Sequence, residues 1–243
     1  MKRVEQIQVF GTGMERKEFW LAARESAPII VGAVPFGITC GIMGVASGLK
    51  PLETILMSVL VFAGAAQFIG ITMLAAGISG WDIVFTTLLI NLRHLLIGAS
   101  LAPHLVRLPL PKQALLAFGM VDESYALTAS RIPVAGYNEY YQLGSNTSFY
   151  LAWTLSTIAG VYLGGHIPDP LAWGLDFAMP ATFIVLLVPR LLDRVSMVVC
   201  LVAAVTTVMA DLYLPGKWYI IIACLAASIA GGLMEKRGSN NAE

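Results

Sequence analysis

The stretch TTLLINLRHLLIGASLAPHL (86–105) is apolar along nearly its whole length, yet Arg93 and His94 stand side by side at its middle. Roughly 20 apolar residues in a helix cross the ~30 Å of bilayer hydrocarbon. Backbone amides in hydrocarbon must be satisfied internally, so such a segment is a helix or nothing. A soluble fold would turn Arg93 to its surface, but the middle turn of a membrane helix has no surface to offer. Arginine at that depth costs on the order of 2.5–3.5 kcal/mol on insertion scales. About eleven residues separate it from either end of the run, too far to snorkel. The chain must therefore bring an anion or a hydrated cavity to it.

Similar runs lie at 27–46, 52–76, 81–104, 147–165, 171–189, 195–213 and 217–234, with a shorter one at 113–130 that contains Asp122 and Glu123. Of the 243 residues, 57% are hydrophobic and 12% charged, and mean hydropathy is +0.76. Soluble domains are about a quarter charged, so the expected fold is an all-α integral membrane protein. If 113–130 crosses, eight helices leave both termini inside with ten Lys and Arg inside and four outside. If it does not, seven helices give six inside and eight outside. The excess of basic residues on cytoplasmic loops favours eight over seven; a re-entrant hairpin at 113–130 or at the second run is the remaining arrangement.

Residues 1–26 are polar and lack the apolar core that follows the basic start of a signal peptide. They are expected to be a cytoplasmic segment before a transmembrane domain at 27–235 and a polar tail at 236–243. Formal net charge is zero and no basic tract points to nucleic acid. Cys40, Cys200 and Cys224 sit within apolar runs without metal-ligand spacing, and read as packing residues. No metal or cofactor is implied.

At 100° per residue Thr87, Asn91, His94 and Gly98 share one face of their helix, while Thr86, Arg93 and Ser100 share another. Asp122 and Glu123 are the nearest carboxylates to Arg93 in sequence, and adjacent positions diverge so that at most one points straight at a given partner. Ser124 and Tyr125 add hydroxyls, and Gln67 is an amide that must find hydrogen bonds. Two readings remain open: a buried pair that fixes helix register, or a pathway for a zwitterion or protons, with His94 a candidate proton carrier. His104, beside Pro103, is expected at the interface.

Gly37-x-x-x-Gly41, Gly44-x-x-x-Gly48 and Gly160-x-x-x-Gly164 let membrane helices approach closely. Pro35 with Gly37, and Pro180, are expected to break or kink their helices. FAGAAQFI (62–69) is matched by FAMPATFI (177–184), and the glycine pair at 44 and 48 by that at 160 and 164. An internal repeat with helices interrupted at matching places is a common transporter design.

Five stretches together, NLRHLLIGASLAPHL (91–105), PFGITCGIMGVASGL (35–49), VFAGAAQF (61–68), DESYAL (122–127) and GLDFAMPATFIVLLVP (174–189), resemble the AzlC family over roughly residues 18–235. That family is the large subunit of branched-chain amino acid exporters; the polar N-terminal extension is not part of its pattern. The resemblance implies a permease of the bacterial inner membrane, working with a small hydrophobic AzlD-type subunit. It would export valine, leucine, isoleucine and sometimes methionine, driven by protons. The expected pathway residues are Asn91, Arg93, His94, Asp122, Glu123 and Gln67. The alternatives are a passive channel or a structural subunit of a transport complex. An enzyme is not expected, since no HExxH or comparable motif is present, and no GxxxxGK[ST] loop marks an ATPase.

Overall fold

The computed structural model describes residues 12–166, 184, 187–188, 191, 193–213 and 218–240. Asp176, Pro180 and nearly all of the expected span 171–189 lie outside these residues. The chain divides into two compact units, Met1–Ala178 and Met179–Glu243. The first contains α1 (Thr12–Ala46), α2 (Pro51–Leu60), α3 (Gly64–Ala75), α4 (Gly80–Leu105), α5 (Leu110–Phe118), α6 (Asp122–Ala135) and α7 (Glu139–Gly164). The second contains α8 (Arg194–Tyr213) and α9 (Trp218–Asn240). Regular structure among the described residues is helical throughout. Among the described residues three helices are long and apolar enough to cross a membrane: α1, α4 and α8.

α1 and α7 form the spine of the first unit. A Cβ on Gly41 would lie 2.2 Å from the Thr157 carbonyl oxygen, and one on Gly160 would lie 2.0 Å from that of Ile38. Gly164 packs against Ile42, and Gly37 against Ser156. Ser26 and Ser145 meet at 3.1 Å between their hydroxyls. Contacts that advance together along both helices make α1 and α7 parallel. The small residues thus do what close membrane packing requires. The helix break expected at Pro35 and Gly37 is not found, because α1 continues through Pro28 and Pro35. A proline costs one backbone hydrogen bond; here the neighbouring turns keep theirs, and Gly37 serves the contact with α7.

The second run departs most from expectation. Residues 52–76 are not one rod but two short helices, and α2, at ten residues, is about 15 Å long. Thr54 packs on Gly44 near the end of α1, while Phe62, between the two arms, packs edge-on against Tyr150 at 5.0 Å. Gln67 then returns to the level of Ser58, 2.8 Å away. α2 enters and α3 comes back. Phe62 turns the chain with a φ of +46°, a left-handed value that non-glycine residues adopt mostly at tight turns.

Residues 113–130 behave likewise, as two short helices in the hairpin arrangement that the sequence left open beside a crossing. Lys112 Nζ donates to Glu139 at the start of α7 (2.8 Å), and Phe118 approaches Tyr150 near its middle (6.0 Å). α6 then retraces the path: Asp122 meets Arg93, Tyr125 meets Ser100, and Arg131 meets Glu18 of α1. Both ends of this hairpin, the end of α4 and the starts of α1 and α7 therefore lie on one side. His104 stacks on Tyr137 there, at 5.1 Å. The ends of α1, α3 and α7 and the start of α4 lie on the other side. A long helix followed by a hairpin thus occurs twice in opposite orientations, with the two hairpin tips meeting on α7.

In the second unit α8 and α9 pack lengthwise, with Gly231 against Val199. Helix boundaries for 81–104 and 195–213 agree with the sequence reading to within one residue, and α1 ends at Ala46 as expected.

Candidate functional site

α7 holds both hairpin tips through side chains that answer backbone groups left over where helices stop. A helix end leaves carbonyls without intrahelical partners, and buried ones must be paired elsewhere. Tyr150 Oη donates to the Val59 carbonyl at the end of α2 (3.0 Å), and Asn146 Nδ2 donates to the Leu116 carbonyl at the end of α5 (2.8 Å). The Tyr150 ring touches Phe62 of one tip and Phe118 of the other. α7 matches α4 in length but buries Gln142, Ser145, Asn146, Ser156 and Thr157. Polar groups in membrane helices face the bundle interior for this reason.

The tip of the α2–α3 hairpin is closed by a neutral network. Gln67 Nε2 donates to Ser58 Oγ (2.8 Å), which donates to Thr157 Oγ1 (2.9 Å), and Trp153 Nε1 donates to Gln67 Oε1 (3.0 Å). Gln67 is 1% exposed. The amide thus finds the hydrogen bonds that the sequence reading required of it, with Ser58 and Trp153.

The tip of the α5–α6 hairpin is charged. Arg93 Nη1 donates to Asp122 Oδ2 at 2.6 Å, with the arginine side chain 41% exposed and the aspartate 16%. Asp122 opens α6, where the helix N-terminus favours an anion. Ser124 closes the turn, since its Oγ accepts from the Val121 N–H at 3.1 Å. Two turns farther along α4 and one turn farther along α6, Ser100 and Tyr125 join by their hydroxyls at 2.8 Å. Arg93 and Ser100 thus use the shared face that helical periodicity assigned to them. Below these pairs Leu101 and Leu105 pack on Leu116 and Met120.

Arg93 reaches the Asp122 carboxylate. Asn91 and His94 lie on the other face of α4, both partly buried. Buried side-chain atoms without a hydrogen-bond partner include Asn91 Oδ1, Arg93 Nε and Asn146 Oδ1. Neither Asn146 nor Tyr150 is among the expected pathway residues; an asparagine and a tyrosine one turn apart in a span give little signal until the tips they hold are known.

At the side carrying the start of α1, ion pairs tie three helices. Arg131 Nη2 donates to Glu18 (2.6 Å) and lies 4.4 Å from the centre of the Tyr141 ring, while Tyr141 donates to Glu25. Tyr137, in the loop before α7, donates to Gln142 (2.7 Å), and burial pushes its phenol up to about 12, so it keeps its proton. Among the described residues no cluster of His, Cys, Asp or Glu could hold a metal ion.

Residues 28–167 match the family model described as AzlC protein. Inner membrane protein YgaZ of Escherichia coli K12 is 30% identical over 221 residues, covering 88% of each chain. The branched-chain amino acid transport protein AzlC of Bacillus subtilis 168 is 28% identical over 217 residues, 87% of this chain and 85% of that one. An uncharacterized membrane protein of Archaeoglobus fulgidus is 32% identical over 171 residues, 70% of this chain and 74% of its own. No solved structure matches.

Proposed function

The chain belongs to the AzlC family of multi-pass membrane proteins, and from that premise we propose that it exports branched-chain amino acids: valine, leucine, isoleucine and methionine. Export is driven by protons, and a small AzlD-type subunit completes the system. The name of the Bacillus relative supports the substrate class. The observation that carries the reading is the Arg93–Asp122 pair at the tip of the α5–α6 hairpin. Non-helical backbone at membrane depth is tolerated where protein or a hydrated cavity surrounds it, and a charged pair there marks a path for polar solutes.

The chemistry follows from the substrate. A zwitterion carries no net charge, so the membrane potential acts on it only through coupled ions, at about 2.3 kcal/mol per charge per 100 mV. The zwitterion inserts into the pair, its carboxylate on the planar two-pronged guanidinium of Arg93 and its ammonium beside ionised Asp122. A proton arriving from outside neutralises Asp122, weakens that hold and lets the substrate leave outward. Release of the proton to the cytoplasm re-forms the Arg93–Asp122 pair. Asn91 and His94 line the path, Glu123 neighbours the proton site, and Gln67 holds the opposite tip in place.

Orientation follows from charge. Arg16, Lys17, Arg24, Arg107, Lys112 and Arg131 fall at the side holding the start of α1, and Lys50 at the other. The positive-inside rule supports a cytoplasmic face for the first set. α1, α4 and α7 then cross, the α5–α6 hairpin dips in from the cytoplasm, and the α2–α3 hairpin from outside.

The test is efflux from cells preloaded with labelled valine, leucine, isoleucine and methionine, with this chain and its small partner expressed together. Replacing Asp122→Asn and Glu123→Gln should bring efflux to the level of cells lacking the protein, while membrane insertion persists. Unimpaired export by the double variant would remove the mechanism, and export insensitive to a protonophore would leave the passive channel in its place.

A further inference from the structure

Asn146 is 2% exposed, and only one half of its amide is used. Nδ2 is committed to the Leu116 carbonyl, so the amide cannot rotate to satisfy Oδ1, which has no donor. Buried polar atoms are nearly always paired, and each exception needs a reason. The location supplies one. A Cβ on Gly119 would stand 3.0 Å from Asn146 Cβ, so the side chain lies directly against the break between α5 and α6. Asp122 follows three residues later on the same break, and Tyr150, one turn along α7, reaches the other tip.

We propose that Asn146 Oδ1 receives the substrate's ammonium at the junction of the two hairpin tips. Resting on the amino acid reading above, this supplies a contact that outlasts the protonation of Asp122. Arg93 suits the carboxylate, but Asp122 gives up the ammonium when it takes the proton, which leaves the ammonium without an acceptor that persists. A neutral carbonyl accepts from an ammonium without competing for the transported proton, as a second carboxylate would. The rings of Phe62, Phe118 and Tyr150, gathered where both tips meet α7, offer an apolar surface for the branched tail. Oδ1 is covered in this conformation, so ligand entry requires the α5–α6 tip to shift against α7. A break containing Gly119 and unsupported by regular helix is suited to that movement.

The experiment is binding to the purified full-length protein with its small partner in lipid nanodiscs. Two probes are compared, L-leucine and 4-methylpentanoate, which keeps the tail and carboxylate but lacks the ammonium. Wild type should prefer leucine by about tenfold or more, as losing a hydrogen bond to a charged group implies. Asn146→Ala should lower leucine affinity about tenfold, toward that of the carboxylic acid, and leave the acid's own binding unchanged. Asn146→Asp, similar in size and still an acceptor, should keep the preference for leucine. If Asn146→Ala retains the full preference, the site is wrong although the transport reading stands. If wild type binds neither leucine nor the other branched-chain amino acids, both fail. Should the variants not fold, the wild-type comparison still decides, because equal affinity for the two probes overturns the proposal.

Discussion

The two hairpins share one design and differ in what closes their tips. Each follows a long helix, each turns back about halfway, and each rests on α7 through a side chain that answers a stranded carbonyl, Tyr150 for one and Asn146 for the other. The α2–α3 tip is neutral and fully knit, with hydroxyls, an amide and an indole satisfying one another around Gln67. The α5–α6 tip relies on a half-exposed ion pair and leaves an amide oxygen unused. Neutral bonds among buried groups fix geometry. A charged pair that a proton can open does not, and it belongs at the element that moves. The difference therefore assigns the α2–α3 hairpin to the frame and the α5–α6 hairpin to the working part.

The harshest test of that contrast reverses one charge. Arg93→Asp places two carboxylates at the α5–α6 tip, where like charges in a low-dielectric setting repel strongly. The variant should lose most of its folded protein, read as the monodisperse fraction of a fluorescent fusion on size-exclusion chromatography. Adding Asp122→Arg restores an opposite pair in swapped order and should recover much of that fraction without recovering efflux, because the proton would now sit on the wrong helix. No recovery in the double variant would mean that the pair does not hold the hairpin.

A milder change addresses the neutral tip. Gln67→Leu keeps similar bulk but strands the Trp153 Nε1 proton and weakens the Ser58 and Thr157 chain. A buried donor left unpaired costs about 1–3 kcal/mol, seen as a lower thermal midpoint. Efflux per folded molecule should stay near wild type. Selective loss of transport at unchanged stability would place Gln67 on the pathway after all and erase the distinction between frame and working part.

How much of this was readable in advance depended on which physical quantity the sequence carries. The need of Arg93 for an anion follows from hydrocarbon alone, and Asp122 supplies it. Helical periodicity put Arg93 and Ser100 on one face, and both turn toward α6. The glycine pairs at 37 and 41 and at 160 and 164 foretold close packing, and those two sets meet each other. The hairpins stayed only an alternative to crossing because hydropathy sums apolar content without direction. A rod and two opposed arms of the same composition score alike, and in a chain with 23 glycines neither Gly64 nor Gly119 stands out as a turn. Phe62, whose backbone makes the first turn, carries no turn signal at all. One clue was present in the charges. Arg107 and Lys112 sit unfavourably outside under eight crossings, and a returning α5–α6 brings both to the side that holds Arg16 and Lys17.

The smallest expected effect separates charge from ordinary contact along the same α4–α6 seam. Ser100 and Tyr125 are joined by a neutral hydroxyl bond at 2.8 Å in an exposed setting, worth about 0.5–1.5 kcal/mol. A double-mutant cycle with Ser100→Ala and Tyr125→Phe should give a coupling within that range and efflux indistinguishable from wild type. The corresponding cycle with Arg93→Met and Asp122→Asn should give a larger coupling, since removing one partner leaves the other charge uncompensated. Equal couplings would say that the hairpin is held evenly along its length. Proton binding at Asp122 would then have no privileged bond to release, and the movable tip would have to be sought elsewhere.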